Sequence, residues 1–245
     1  MLGIIGGTGF GSMSGAELVE QLWPSTPFGE TSGPVVISAL NGLKFAFMAR
    51  HGNPHRIPPH LINYRANLFA MKQAGVDRII AINAVGGIHE KLGPGNLSIP
   101  DQIIDYTYGR EHTIYDGIHC ETVDHIDFTK PYSETLRAKL LRSASAVSFD
   151  VLDGGVYGAT QGPRLESSAE ILRCKAEGCD MVGMTGMPEA ALARELELDY
   201  ACIALSANWA AGLSDTPITM ADIKEAVSKA SARVSELIFQ DLGSL

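Results

Sequence analysis

Short runs rich in Ile, Val and Ala alternate with longer amphipathic stretches from one end of this chain to the other, and glycine clusters mark many of the joints. Strands interleaved with helices in this way predict an α/β fold whose parallel or mixed sheet is covered on both faces. Residues 2–5 read as a strand running into Gly6-Gly7-Thr8-Gly9-Phe10-Gly11, followed by a short helix near 15–22. Strands at 35–40 and 43–49 flank Asn41-Gly42, a strong hairpin signal because both residues accept positive φ. Leu61, Tyr64, Leu68 and Met71 recur at helical spacing, with Gly75 as the stop, and 78–83 is an Ile-rich strand entering a glycine turn. The second half repeats the alternation. Helices are expected at 132–146, 166–176 and 188–196, and strands at 151–157, 181–184 and 200–207. A last helix opens at Thr219-Met220-Ala221-Asp222, with Ile223, Val227, Ala230, Val234 and Leu237 as its apolar stripe. No repeat, low-complexity tract or linker interrupts the pattern, so one domain over 1–245 is expected.

Charge and cysteine usage narrow the classes of function. A net charge of −9 opposes binding to nucleic acid or to an anionic membrane, although a few focused donors still suffice for phosphate. The four cysteines, at 120, 174, 179 and 202, form no CxxC pair and suggest neither zinc nor a disulfide framework. They read as reduced thiols of a cytoplasmic protein, and no apolar stretch is long enough to predict a membrane span or a signal peptide.

Several motifs sit where an α/β sheet presents ligands. The loop after the first strand is neither GxGxxG, since Ser12 stands three after Gly9, nor a Walker loop, since no Gly-Lys-Ser/Thr follows. Its amides can still cradle an anion, and Thr8 adds a hydroxyl; a tight turn without a ligand is the competing reading. Arg50-His51-Gly52 ends the second hairpin strand, where a planar guanidinium suits phosphate. Arg-His-Gly after a strand is also the mark of histidine phosphatases. That family has it on the first strand with a second catalytic His late in the chain, and here no histidine follows His125. Asn83-Ala84-Val85-Gly86-Gly87 offers close backbone approach to a ligand, or a plain glycine turn. Gly162-Pro163-Arg164-Leu165-Glu166 and Gly183-Met184-Thr185-Gly186-Met187-Pro188-Glu189 each precede a helix. Thr8, Arg50, Ala84 and Thr185 thus all fall at expected strand-to-helix junctions, which single turns do not explain.

In this order, and across nearly the whole chain, these segments resemble the trimeric purine nucleoside phosphorylases. The early half, including Asn63-Tyr64-Arg65-Ala66-Asn67, is closest to the methylthioadenosine phosphorylase branch. The resemblance implies a twisted mixed β-sheet flanked by helices, a homotrimer, and phosphorolysis of a purine nucleoside with phosphate as co-substrate and no metal or organic cofactor. Carried over by position, Thr8, Arg50, His51, the amide of Ala84, and Thr185 take the phosphate; Met184 lies beneath the ribose; Leu165 replaces a phenylalanine stacked near the base. His125, in Asp124-His125-Ile126-Asp127, matches a residue that reaches a neighbouring subunit's site.

The base end departs from the methylthioadenosine pattern. Two aspartates flanking an aromatic residue are expected there, and this chain has Asn208-Trp209-Ala210. With Glu166, Asn208 resembles the enzymes that take 6-oxopurines. Hypoxanthine carries hydrogen on N1 and an acceptor at O6, so a carboxylate accepts the first while a carboxamide serves O6 and N7. Adenine reverses both groups and would set a buried lone pair against Glu166, at a cost of about 1–3 kcal/mol. A helix-start Glu and a strand-end Asn cap are the plain structural alternatives. At the sugar end, Met220 stands where 6-oxopurine phosphorylases carry a His for the 5′-hydroxyl, and Ile223 follows one turn later, read by default as core packing. An apolar wall favours a methylthio group by roughly 0.8 kcal/mol per methylene-sized unit. Together the two ends point to 5′-methylthioinosine, with His51, Glu166 and Asn208 as the catalytic set. Methylthioadenosine, a broad range of 6-oxopurine nucleosides, and nucleoside binding without turnover are the other readings.

Overall fold

Leu2, Ile4 and Ile5 are all buried in the first strand, which lies in the middle of the sheet. The computed structural model describes residues 1–7 and 15–240. In chain order the elements are β1 (Leu2–Gly6), β2 (Glu17–Leu22), β3 (Val35–Leu40), β4 (Leu43–Ala49), α1 (Tyr64–Gln73), β5 (Arg78–Gly87), β6 (Leu97–Ile99), β7 (Gln102–Asp105), α2 (Glu134–Ala146), β8 (Val151–Asp153), β9 (Val156–Ala159), α3 (Ser168–Ala176), β10 (Met181–Gly183), α4 (Glu189–Glu195), β11 (Asp199–Trp209) and α5 (Met220–Phe239). The sheet is mixed, running β2-β3-β4-β1-β5-β10-β9-β7, with β11 joined to β5 and then β6 and β8 beyond it.

The period-two alternation of strands explains the two layers of helices. Ile5, Ile79 and Ala81 face a core closed by Leu68 and Met71 of α1 and by Leu192 and Ala193 of α4. Ile4, Ile80 and Ile82 face the opposite core, closed by Leu136 and Leu140 of α2 and by Val234 and Leu237 of α5. Caps set the helix starts. Asn63 accepts from the amide of Ala66, Ser133 from that of Leu136, and Thr219 from that of Asp222. Asn41 and Gly42 both adopt positive φ, 51° and 79°, as the predicted hairpin turn requires.

Four expectations are corrected. Residues 17–22 form β2, not a helix: six residues hold too few helical hydrogen bonds to repay nucleation, whereas the open edge of β3 offers a ready ladder. The expected strand at 151–157 is two strands, because Gly154 and Gly155, at φ 88° and 109°, turn the chain between partners β6 and β7. The helix read from residue 166 begins at Ser168, capped by a reciprocal box between Ser167 and Glu170, so Glu166 lies outside it. The run 83–87 is not a glycine turn but the second half of β5, paired along β11, and Ala84 is therefore mid-strand rather than at a junction. Strands β6 and β7 were not legible as separate elements.

That last correction creates the site. β11 pairs with β5 along its whole length, so β1 and β10 must share the other edge. β1 reaches only Ala81 and β10 only Gly86, which leaves residues 82–85 facing a gap between the two.

Candidate active site

The gap opens into a cleft of about 410 Å³. Arg50, His51, Ala84, Leu165, Glu166, Met184, Thr185, Asn208, Met220 and Ile223, all singled out from sequence, line it together. They arrive from β4, β5, β11 and α5 and from the loops around α3 and β10. Gly7 lines the same cleft, whereas Thr8 lies outside the described residues. His125 is exposed and is not among the lining residues of its own chain's cleft.

At one end, Arg50 is 1% exposed. Its Nε and Nη2 donate to the two carboxylate oxygens of Glu189 at 2.7 and 2.8 Å, Nη1 to the Ile82 carbonyl at 3.2 Å, and Nη2 to the Ile5 carbonyl at 3.4 Å. A guanidinium has five N–H groups, so one on Nη1 is left over for the cleft. Burial opposes the charge, but Glu189 more than offsets it and holds the Arg50 pKa above its ordinary value. Tyr200 Oη donates to Glu189 at 2.8 Å and fixes the carboxylate in turn. Glu189 closes the motif at 183–189, but nothing in the sequence announces its pairing with Arg50, 139 residues away, or the role of Tyr200 beside it.

His51 stacks on His55 at 4.2 Å, and its Nδ1 lies 2.8 Å from the Ile57 carbonyl. Burial first, then the neighbouring Arg50 and His55, pushes the His51 pKa down to about 4. The ring is thus neutral at pH 7 and donates from Nδ1, which leaves Nε2 with its lone pair. Thr185 is buried, and Ala84 is exposed on the unpaired edge of β5. Asn83, also unforeseen, lines the cleft at 2% exposure, and its Nδ2 and Oδ1 find no hydrogen-bond partner among the described residues.

At the other end, Glu166 accepts from Thr160 Oγ1 at 2.6 Å through one oxygen. The helix cap uses Ser167 and Glu170 instead, so the capping alternative for Glu166 falls away. Asn208 sits beside a bulge in β11, between Ser206 and Asn208, which re-aims the strand end. Its Nδ2 donates to the Trp209 carbonyl at 2.7 Å, leaving a second amide hydrogen and Oδ1. A side chain on Gly86 would come within 3.2 Å of Ala210 and 3.4 Å of Asn208 Nδ2, so the glycine is what lets β11 and its carboxamide lie there.

Between the ends the wall is apolar. Met184 packs over Gly162, whose Cβ would fall 2.4 Å from the sulfur. Met220 is 64% exposed and Ile218 lines the cleft beside it. Ile223 is partly buried against the α5 core and also lines the cleft, so the core-packing reading of this residue is half of the answer. A donor-bearing end at Arg50 and an end that pairs a carboxylate acceptor with a carboxamide flank an apolar wall, a cleft suited to an anion, a flat heterocycle and a sugar whose substituent is apolar. No helix among the described residues is long and apolar enough to cross a membrane.

Comparison with known proteins agrees with this chemistry. A family model of the phosphorylase superfamily matches residues 1–240. A probable S-methyl-5'-thioinosine phosphorylase of Pseudomonas syringae pv. tomato is 51% identical over 98% of this chain and 98% of its own. The 6-oxopurine nucleoside phosphorylase of Pyrococcus furiosus is 42% identical over 97% of this chain and 90% of its own. Among solved structures, methylthioadenosine phosphorylase of Schistosoma mansoni in complex with adenine superposes with a TM-score of 0.93 at 31% identity, covering 99% of this chain and 90% of that one. The chain belongs to the phosphorylase superfamily.

Proposed function

We propose that this phosphorylase cleaves 5′-methylthioinosine with inorganic phosphate, giving hypoxanthine and 5-methylthioribose 1-phosphate. The observation that carries the reading is the convergence of Glu166 and Asn208 on one cleft whose wall includes Met220 and Ile223. A relative 51% identical over nearly its full length, carrying the corresponding name, supports it.

The bond from sugar C1′ to base N9 breaks, its electron pair leaves with the purine, a phosphate oxygen bonds to C1′, and the proton that hydrogen phosphate gives up balances the purine anion as hypoxanthine. Asn208 donates to N7 as negative charge builds on the base, and Glu166 accepts the N1 hydrogen. The remaining N–H of Arg50, the Ala84 amide, Thr185 and Thr8 hold the phosphate. His51, neutral with Nε2 open, accepts from a protonated phosphate oxygen. Seating the anion beneath C1′ removes much of the entropic cost of bringing two substrates together, and the bound phosphate is itself the nucleophile. No metal or organic cofactor takes part. Leu165 covers the base and Met184 the ribose, while Met220 and Ile223 take the methylthio group.

The chain acts as one domain over residues 1–245, in the cytoplasm, as a homotrimer in which His125 serves a neighbouring subunit's cleft. A solved relative holding adenine favours methylthioadenosine as the second reading. Identification of the free base decides between them. With phosphate present, hypoxanthine should appear from methylthioinosine much faster than adenine from methylthioadenosine, and equal rates would overturn the assignment. Absence of any phosphate-dependent base release would leave a binding protein.

A further inference from the structure

The chain between β7 and α2 has no regular structure, yet it buries a guanidinium. Arg110 is 9% exposed. Its Nη1 donates to the Met187 carbonyl at 2.6 Å, the Met184 carbonyl at 2.9 Å and Tyr64 Oη at 3.2 Å. Nη2 donates to the carbonyls of Gln161 at 2.8 Å and Thr160 at 3.3 Å, and Nε to Gln161 Oε1 at 3.2 Å. Every partner is a dipole, unlike Arg50, whose charge meets Glu189.

The carbonyls belong to two separate stretches, each holding a different end of the cleft. Thr160 and Gln161 follow β9, and the Thr160 hydroxyl grips Glu166. Met184 and Met187 bracket Thr185 in the turn after β10. Backbone pairing ties the two stretches just before this point, through Gly183 with Ala159 and the amide of Thr160 on the Gly183 carbonyl at 2.8 Å. Beyond it Met184 packs over Gly162, and Arg110 adds hydrogen bonds to the carbonyls of both stretches. A planar fork with donors on three nitrogens reaches both at once; an ammonium, with its donors on a single atom, does not.

We propose that Arg110 is a positioning residue for substrate specificity, setting the distance between the base-reading carboxylate of Glu166 and the Met184–Thr185 turn. This rests on the reading of Glu166 given above. Because Arg110 holds the stretch that carries Thr160 as well as the turn that carries Thr185, its loss should change the choice of base and not only the binding of phosphate.

The test compares parent, Arg110→Lys, Arg110→Ala and Thr160→Val, each checked for native circular dichroism. The readout is the ratio of kcat/KM for methylthioinosine to that for methylthioadenosine, with KM for phosphate measured alongside. Arg110→Lys should lower the ratio about tenfold. Added guanidinium should restore part of it in Arg110→Ala. Thr160→Val, which removes the hydroxyl's bond to Glu166 and its longer contact at 3.3 Å with the Gly183 carbonyl but keeps the Thr160 amide bond to that carbonyl, should lower the ratio while phosphate KM stays put. Folded Arg110 variants that keep the parental ratio would overturn the proposal. If Arg110→Ala and Arg110→Lys do not fold, an unchanged ratio in Thr160→Val does so, and a lowered one supports it. A parent protein that releases no hypoxanthine fails at the first step and sinks the reading of the site itself.

Discussion

Arg50 and Glu189 meet as a two-point ion pair at 2.7 and 2.8 Å, with each side chain 1% exposed, and the pair joins the end of β4 to the first turn of α4. The relationship decides how much of Arg50 remains for a ligand. Glu189 takes two donors of the fork and carbonyls of β1 and β5 take two more, so one N–H of Arg50 is left for the cleft that it lines.

Removing one partner should cost far more than removing both. Glu189→Ala leaves a buried guanidinium uncompensated and should lose about 3–5 kcal/mol of folding free energy. Arg50→Met combined with Glu189→Leu should recover much of that loss and still be inactive. Urea unfolding of the single and double variants measures both effects. A double variant no more stable than Glu189→Ala would contradict this account of the pair.

Asn208→Asp should raise the use of 6-amino relative to 6-oxo substrates. A protonated carboxyl donates to N7 as the carboxamide does, while its ionised form accepts from an exocyclic amine. Competition between methylthioinosine and methylthioadenosine reads the ratio directly. No change in that ratio would remove Asn208 as the reader of the base.

Met220→His should shift preference from the methylthio nucleoside toward inosine, because an imidazole can bond the 5′-hydroxyl where the thioether only packs. The change is expected in kcat/KM for inosine. Since Met220 is largely exposed at the start of α5, stability should barely move. An unmodified protein that already prefers inosine would contradict the role of the apolar wall.

His51 carries a prediction for acid stability. Its folded pKa of about 4 lies below the ordinary 6.5, so the unfolded chain binds the extra proton first. Stability from this group is therefore fully present above about 6.5 and lost as pH falls toward 4. Replacing it, as in His51→Gln, should flatten the fall in unfolding free energy across that window. An unaltered slope would mean that His51 is not held neutral.

Much of the fold was legible because its signals are local. The Asn41-Gly42 hairpin, the helix ending at Gly75 and the Thr219 cap each need only neighbouring residues to form. Residues 17–22 were misread because a lone edge segment takes its conformation from the strand beside it. The glycines at 86 and 87 looked like a turn, yet they are there because β11 and Leu92 crowd the strand from outside, a contact that sequence spacing does not encode.

What the chain determined by itself was the inventory: which residues have chemistry for a phosphate, a keto purine and an apolar 5′ group, and the order in which they come. Tertiary structure decided which of them share a cleft, through the early end of β1 and the late arrival of β10 along β5. It also supplied the pairing of Glu189 with Arg50 and the bonds of Arg110 to Met187, across 139 and 77 residues, and the hydroxyl of Tyr200 that fixes Glu189. Their roles come from low-dielectric burial and from pairing at a few ångströms, and neither exists until the sheet has closed around them.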